Sequence, residues 1–320
     1  MEPERIDFTG PPICVVGNIN RDVKVPSVPD SNTLLHDGET SVLAIAETIG
    51  GGGANSACAA AALGAQVRFV GKTGADGLAD RLRHALEVQG VRTYLRRDVS
   101  CGTGTTVALG YTSGQRHFLS WLPNNQSLSL DDLDLTALDG CAHLLRADVW
   151  FSQAMLEGGN YRLMSEARRR GLKISLDINF DPCWSTGAAA DSARRKRQVR
   201  DLLGLVDLAH GNVRELQEFS NSPNLPQALA RLTEWGAKAV VVHLGAQGAG
   251  YFSDGEWTVE PPDPARKAIH STGTGDVLSI CMILLDARKE LSVRQKLKVA
   301  NSVVREFMDG ERDLIPLLQA

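Results

Sequence analysis

Short runs of β-branched residues alternate with longer stretches of helical periodicity, and this alternation constrains the fold more than any other feature. The predicted buried strands are 13–16, 67–70, 172–178, 205–209 and 239–244. The predicted helices are 54–63, 79–89, 160–170, 192–203 and 225–235. Because strands separated by helices pair in parallel, the pattern predicts a doubly wound, mostly parallel α/β sheet with helices on both faces.

Two segments interrupt this alternation. Residues 18–41 are rich in Pro, Asp and Asn, and residues 102–122 carry two alternating runs around a Gly-containing turn, as in a β-hairpin. We predict that these segments form a small β-lid over the edge of the main sheet where open α/β folds bind ligands. The predicted core is then 13–17, 42–101 and 123–320, and the predicted lid is 18–41 and 102–122.

Composition excludes several classes of protein. A formal net charge of −4 gives no general attraction to nucleic acid or to an anionic membrane surface. The acidic first residues do not resemble a signal peptide, and the apolar stretch at 277–285 is too short to cross a bilayer, so we expect a cytoplasmic protein. The scattered cysteines fit neither a disulfide scaffold nor a cysteine metal site. The basic run 194–197 is interpreted as a solvated helix face.

A glycine-rich turn at 271–276 precedes an apolar run that reads as a buried helix. The backbone N–H groups of Gly273, Thr274 and Gly275 would point out of the helix N-terminus and form an anion site. Asp276, in the first turn, would be placed to accept a proton from an attacking hydroxyl. Taken alone, the motif is read equally well as a simple helix cap.

A second glycine run, 50–53, leads directly into a helix of small residues. Four glycines in succession remove every Cβ, so that backbone can approach a ligand closely. Asn55 follows in the first helical turn with a donor and an acceptor. Tight helix–sheet packing would explain the alanines that follow, but not four glycines. Neither a P-loop nor a dinucleotide motif fits, because Gln66 and Ser56 stand where each would need glycine.

With these motifs in order, the sequence resembles the ribokinase-like carbohydrate kinases of the phosphofructokinase-B type, from about residue 13 to residue 301. The stretches 52–57 and 271–276 resemble the two signatures of that family. Residues 212–215 resemble its Asn-x-x-Glu motif, residues 244–248 its nucleotide-loop glycines, and residues 177–179 a pair found at the end of a strand in several members.

The resemblance implies transfer of the γ-phosphoryl group of ATP to a hydroxymethyl group of a sugar or similar polyol. It implies Asp276 as the base and the amides of Gly273, Thr274 and Gly275 as the anion hole. The implied acceptor-binding residues are Asn20, Asp22, Gly51, Gly52 and Asn55. The implied nucleotide-binding residues are Asn212, Glu215, Gly245, Gly248 and Asn301, with Glu215 near Mg²⁺ through water. Asn212 and Glu215 would equally form a capping box at a helix start.

Some residues depart from the family pattern. His270 stands where relatives usually have Asp, and it either favours an anionic group on the substrate or is a surface histidine without consequence. Gly52 stands where ribokinase has Lys, so ribose is not the expected acceptor. Asp181 stands where many sugar-acid and fructose kinases have Arg, which argues against those substrates.

Two other functions stay open. One is a nucleoside kinase of the same fold, with Phe118 and Trp121 of the lid as a base pocket. The other is an inactive sensor of sugars or nucleotides. The exposed strand edge of the lid hints at a homodimer. We expect no nucleic-acid or membrane partner.

Overall fold

The computed structural model describes residues 7–30, 36–267, 269 and 272–318. His270, which departs from the family pattern, lies outside the described residues. The strands are β1 Ile13–Val16, β2 Asn20–Val28, β3 Ala46–Gly50, β4 Val67–Gly74, β5 Arg92–Asp98, β6 Thr105–Tyr111, β7 Arg116–Trp121, β8 His143–Arg146, β9 Lys173–Asp177, β10 Leu208–Asn212, β11 Ala239–His243, β12 Ala249–Ser253 and β13 Glu256–Glu260.

Helices fill the connections between these strands. They are α1 Gly52–Ala62, α2 Gly77–Val88, α3 Pro123–Gln126, α4 Asn160–Arg169, α5 Cys183–Thr186, α6 Ala189–Arg200, α7 Val213–Ser220, α8 Leu225–Glu234, α9 Thr274–Asp286 and α10 Val293–Met308. No helix in the described ranges has the length and apolar character needed to span a membrane.

The main sheet has the strand order β13-β12-β11-β10-β9-β8-β1-β4-β5. The strands from β11 to β5 in this order pair in parallel, and β12 and β13 add an antiparallel edge. Neighbouring residues of β11 point to opposite faces: Val241 packs in the layer formed by α1, α9 and α10, and Val240 packs in the layer of α4 and α8. The predicted doubly wound fold is confirmed.

A separate four-stranded sheet has the order β3-β2-β6-β7. The predicted hairpin is found with β6 antiparallel to β7. The structure differs from the predicted boundaries at one point, because residues 46–50, assigned to the core range 42–101, form β3 of this small sheet. The reason is that the chain must return beside β2 to bring Gly50 opposite Asn20 before it enters α1.

Two other interpretations are corrected. The predicted strand 205–209 lies instead at Leu208–Asn212, because Leu203–Leu205 form a 3-10 turn that ends the preceding helical segment. The basic run 194–197 is not uniformly solvated. Arg195 is buried against Asp181, with Nε 2.7 Å from Oδ2, and Lys196 bonds Glu218 Oε1 at 2.8 Å. These two residues dock α6 onto the core.

Candidate active site

The N-terminus of α9 opens toward the small sheet. Gly273 precedes the helix in the left-handed region, with φ 88°, and a Cβ there would lie 2.5 Å from Ile315 Cδ1. The first helical bond runs from Val277 N to the Gly273 carbonyl at 3.0 Å. The N–H groups of the residues between them have no carbonyl within the helix to bond, so this end carries partial positive charge. This is the arrangement that an anion site at a helix N-terminus requires, and the anion site itself stays a prediction.

Asp276 lies half-buried in this first turn. Asn55 Nδ2 donates to Asp276 Oδ2 at 3.0 Å, which ties the first turn of α1 to the first turn of α9. Burial, together with the nearby carboxylates of Asp148, Glu215 and Asp22, raises the pKa of Asp276 to about 8, and the hydrogen bond from Asn55 opposes this rise. Such a carboxyl is a stronger base than an exposed aspartate once it is ionised. Asn55 Oδ1 is buried and has no hydrogen-bond partner among the described residues.

The glycine run 50–53 lets backbone pass close to these carboxylates. Gly51 has φ 92°, and a Cβ there would lie 2.4 Å from the Asn18 carbonyl oxygen. A Cβ on Gly52 would lie 2.9 Å from Asp148 Oδ1 and 3.3 Å from Asp276 Oδ1. The backbone of Gly52 therefore approaches two carboxylates at a position that has no room for a side chain. The predicted alternative, packing alone, accounts for Gly53, whose Cβ would meet Gly17 Cα at 2.7 Å.

Asp148 is a site residue that sequence reasoning missed. It follows β8 in the left-handed region, with φ 55°. Its carboxylate accepts backbone N–H bonds from Gly53 at 2.8 Å, Asn18 at 2.9 Å and Gly52 at 3.2 Å. Burial raises the pKa of Asp148, and these three bonds oppose the rise. Asp148 thus anchors the N-terminus of α1 and faces the same space as Asp276.

The small sheet contributes Asn20 and Asp22 to this space. Asn20 Nδ2 donates to Asp22 Oδ1 at 2.8 Å. A Cβ on Gly50 would lie 2.1 Å from Asp22 Oδ1, so both residues share the face that β3 and β2 turn toward α1. Burial raises the pKa of Asp22 to about 6, against opposing contributions from Lys24 and Asn20.

Asp177 and Glu215 complete a group of acidic side chains at the carboxyl ends of the strands. Burial raises the pKa of Asp177 well above its usual range, and the charges of Asp276 and Glu215 add to the effect. Burial also raises the pKa of Glu215. Within the described ranges, no three His, Cys, Asp or Glu side chains converge closely enough to hold a metal ion by themselves.

Asn212 and Glu215 form the capping box of α7. The Asn212 side chain accepts the Glu215 N–H at 2.9 Å, and Glu215 Oε2 accepts the Asn212 N–H at 2.8 Å. The capping box that the sequence predicts as an alternative role for these two residues is therefore present. It does not exclude a ligand, because the side chain of Glu215 stays at the edge where the other carboxylates meet.

A cavity of about 590 Å³ lies on the other side of the α9 N-terminus. Its lining includes the predicted nucleotide residues Gly245, Gly248 and Asn301, together with Thr274 and Gly275. Gly248 has φ 95°, and a Cβ there would lie 2.2 Å from the Glu260 carbonyl oxygen. The volume is ample for a purine nucleoside.

Two details of this cavity were not foreseen. Asn301 Nδ2 donates to the carbonyls of Glu260, at 2.9 Å, and Pro261, at 3.2 Å, so its amide group holds the cavity wall. His243 also lines the cavity, with Nε2 3.1 Å from Ser279 Oγ. Burial lowers the pKa of His243 to about 4, so the ring is neutral near pH 7. No motif in the sequence pointed to this histidine.

A half-buried carboxyl at a helix N-terminus, with a small β-sheet on one side and a cavity of nucleotide size on the other, is the arrangement expected of a small-molecule kinase of the α/β class. Residues 12–280 match the family model described as pfkB family carbohydrate kinase, and the chain belongs to this family. The predicted resemblance and the predicted enzyme class, a carbohydrate kinase, are confirmed.

Relatives of known name agree with this assignment. The chain is 26% identical to a ribokinase of Arabidopsis thaliana over 289 residues, which cover 86% of this chain and 70% of that protein. It is 26% identical to a fructokinase of Klebsiella pneumoniae over 249 residues, which cover 76% of this chain and 77% of that protein. A putative ribokinase II of E. coli, solved in complex with ATP and Mg²⁺, shares the fold with a TM-score of 0.78 at 21% identity, over 93% of this chain and 92% of that one.

Proposed function

We propose that this protein transfers the γ-phosphoryl group of ATP to a hydroxymethyl group of a sugar or sugar derivative, with Asp276 as the general base. The observation that carries the proposal is the approach of two carboxylates, those of Asp148 and Asp276, to the side-chain-free backbone of Gly52 beside the N-terminus of α9. A hydroxyl placed there would meet a base on one side and an anion site on the other.

The acceptor would be held by Asn20, Asp22, Asn55 and the backbone of Gly51 and Gly52, joined by Asp148. The unpartnered Oδ1 of Asn55 supports this placement, because a buried acceptor without a donor costs about 1–3 kcal/mol and a substrate hydroxyl would supply the donor. Carboxylates and amides of this kind suit the hydroxyl groups of a polyol.

ATP would occupy the cavity of about 590 Å³, with its phosphates directed toward Gly273, Thr274 and Gly275. Gly245 and Gly248 would let the backbone approach the nucleotide, and Asn301 would hold the cavity wall. Mg²⁺ bound to the phosphates would neutralise part of their charge, and Glu215, with Asn212 fixing its position, would contact it through water. The E. coli structure with ATP and Mg²⁺ supports this assignment.

The chemical step needs only these groups. Asp276 takes the proton of the acceptor hydroxyl as its oxygen forms a bond to the γ-phosphorus. The bond from that phosphorus to the oxygen bridging to the β-phosphate breaks, and ADP leaves with the electron pair. The amides of the α9 N-terminus stabilise the charge on the transferred group. Closure of the small sheet over the acceptor would exclude water and so protect ATP from hydrolysis.

An ATP-consumption assay across neutral sugars, sugar phosphates, sugar acids and nucleosides tests the proposal. Consumption that depends on one class of acceptor is the expected result. ATP consumption with nucleosides alone would identify a nucleoside kinase. Phe118 supports this alternative, because its aromatic ring lies on the same face of the small sheet as Arg116. Ligand-induced thermal shifts without turnover would contradict the proposal and identify a sensor.

The rate should depend on pH through Asp276. Because its pKa is raised to about 8, the fraction of ionised base rises about tenfold per pH unit below that value and then levels off. We therefore expect kcat/KM for the acceptor to increase from pH 6 to about pH 8 and to reach a plateau above it. Initial rates at saturating MgATP measure this profile. A rate that is constant from pH 6 to pH 8 would contradict the role of Asp276 as base.

A homodimer through the small sheet is a further part of the proposal. β7 is the edge strand, and Leu119 and Trp121 on one of its faces are 56% and 61% exposed. Exposed apolar groups on an edge strand favour pairing with a second chain. Sedimentation velocity of the purified protein should show a dimer, and a monomer at micromolar concentration would remove this part alone.

A further inference from the structure

We propose that the acceptor carries an anionic group, a phosphate or a carboxylate, which binds to Lys24 and Arg116 of the small sheet. This inference rests on the proposed function and names its substrate class. The observation behind it is a cavity of about 150 Å³ that lies between the small sheet and Thr272 and contains both cationic side chains.

Strand register places the two cations on the face that receives the acceptor. Asp22 and Lys24 are two residues apart on β2, so their side chains point to the same side of the sheet. Lys24 pairs with Ala108 of β6, and Gly110 of the same strand pairs with Arg116 of β7. Only the small residues Ala108 and Gly110 of β6 lie between the two cations, so the side chain of Arg116 reaches the cavity.

The ammonium group of Lys24 lacks a partner among the described residues. It makes no hydrogen bond and no ion pair within 4 Å there, whereas the buried Lys72 bonds Asp98 at 2.8 Å and Asp132 at 3.2 Å. Burial lowers the pKa of Lys24, and the charge of Asp22 only partly opposes this effect. A partly buried cation without a partner is costly, and a bound anion would remove that cost.

Arg116 ties this cavity to the catalytic turn. Its Nη1 donates to Thr272 Oγ1 at 3.3 Å, next to Gly273 at the start of the anion hole. A strand advances about 3.3 Å per residue, so Lys24 lies about 7 Å beyond Asp22 along β2. That spacing suits a sugar whose hydroxyl contacts Asp22 and whose anionic substituent reaches Lys24.

The charge of Asp181 does not oppose an anionic acceptor. Its carboxylate is fully buried, and both oxygens bond Arg195, at 2.7 and 2.9 Å. The charge of Asp181 is therefore neutralised by Arg195. The Arg that many sugar-acid and fructose kinases have at this position is still missing, so an anionic group would depend on Lys24 and Arg116 instead.

Direct binding tests the inference without requiring turnover. Isothermal titration calorimetry would compare D-fructose, D-fructose 6-phosphate and D-gluconate as ligands of the whole protein. We expect at least one of the two anions to bind about tenfold or more tightly than D-fructose, as a charge-assisted contact allows. The phosphate and the carboxylate serve as separate arms, which identify the anion that fits.

Variants of the small sheet supply the controls. Lys24→Met should remove the preference for the anionic ligand, and Lys24→Arg should keep most of it. His117→Gln is the matched control, because His117 follows Arg116 on β7 and so points to the opposite face, and it should leave the preference unchanged.

The results separate this inference from the proposed function. The inference would be overturned if both anions bind no more tightly than D-fructose. It would also be overturned if the preference for an anion persists in Lys24→Met. If neutral sugars are nevertheless phosphorylated, the proposed function stands without it. If an anion binds through Lys24 and no acceptor of any class is phosphorylated, the binding site stands and the proposed function fails.

Discussion

Replacing Asp276 by asparagine should lower kcat by about 10²- to 10⁴-fold, the usual contribution of a general base. Asparagine has nearly the same shape and keeps an oxygen for the bond from Asn55 Nδ2, so ATP affinity should change little. Coupled-enzyme assays of ADP release and equilibrium binding of ATP measure the two quantities. Turnover close to that of the unchanged protein would contradict the proposed mechanism.

The same substitution should stabilise the fold. The pKa of Asp276 is raised from 3.8 to about 8 on folding, so the folded chain holds this proton more tightly than the unfolded chain. Stability is therefore lost as the pH rises from about 4 to about 8, and at pH 7 the uptake of this proton on folding costs a few kcal/mol. Asparagine removes this cost, so the melting temperature at pH 7 should rise, while at pH 4 the two proteins should unfold at similar temperatures.

Asp191→Asn is the matched control for both effects. Asp191 also lies in the first turn of a helix, α6, but it is exposed and forms a surface ion pair with Arg194. Surface pairs of this kind contribute about 0–1 kcal/mol, so this variant should be slightly less stable and fully active. An increase in stability for Asp191→Asn as large as that for Asp276→Asn would show that the effect does not come from the active-site carboxyl.

Much of the main sheet could be predicted, because its central strands are apolar runs bounded by helical periodicity. β1 and β11 lie within one residue of their predicted ranges, and α4 and α8 within one residue of theirs. β5 and β8 were not predicted, for different reasons. β5 is an edge strand with five polar residues among its seven. β8 has only four residues, two of them Leu, which is too short to show a helical or a strand periodicity.

The missed strand explains the missed site residue. Asp148 lies two residues after β8, so without that strand nothing indicated that it reaches the carboxyl edge of the sheet. Asp276 could be predicted because a glycine turn and an apolar helix surround it in sequence. The contact of His243 with Ser279 and the cavity beside Lys24 both depend on segments that only the tertiary fold brings together. Site residues that lie within one continuous motif can therefore be predicted from the sequence. Site residues that come together from separate strands cannot.

Adding one methyl group at Gly52 should strongly reduce activity while leaving the fold intact. Gly52 is the first residue of α1 and has an ordinary helical backbone, since its φ lies outside the left-handed region. The added Cβ would lie 2.9 Å from Asp148 Oδ1 and 3.3 Å from Asp276 Oδ1. Asp148 cannot move away freely, because three backbone N–H groups hold its carboxylate. The methyl group therefore stays where the acceptor hydroxyl would lie.

We expect Gly52→Ala to lower kcat/KM for the acceptor by about 10²-fold or more, as for a misplacement of about 1 Å at the reacting centre. Crowding against Asp148 costs about 1–3 kcal/mol and the gain in helix propensity is up to about 1 kcal/mol, so the net loss of stability should be small. Gly77→Ala is the control, since Gly77 is the first residue of α2 and its Cβ would meet nothing within 4 Å. It should keep full activity. If Gly52→Ala binds and phosphorylates its acceptor as Gly77→Ala does, the acceptor does not lie between Asp148 and Asp276.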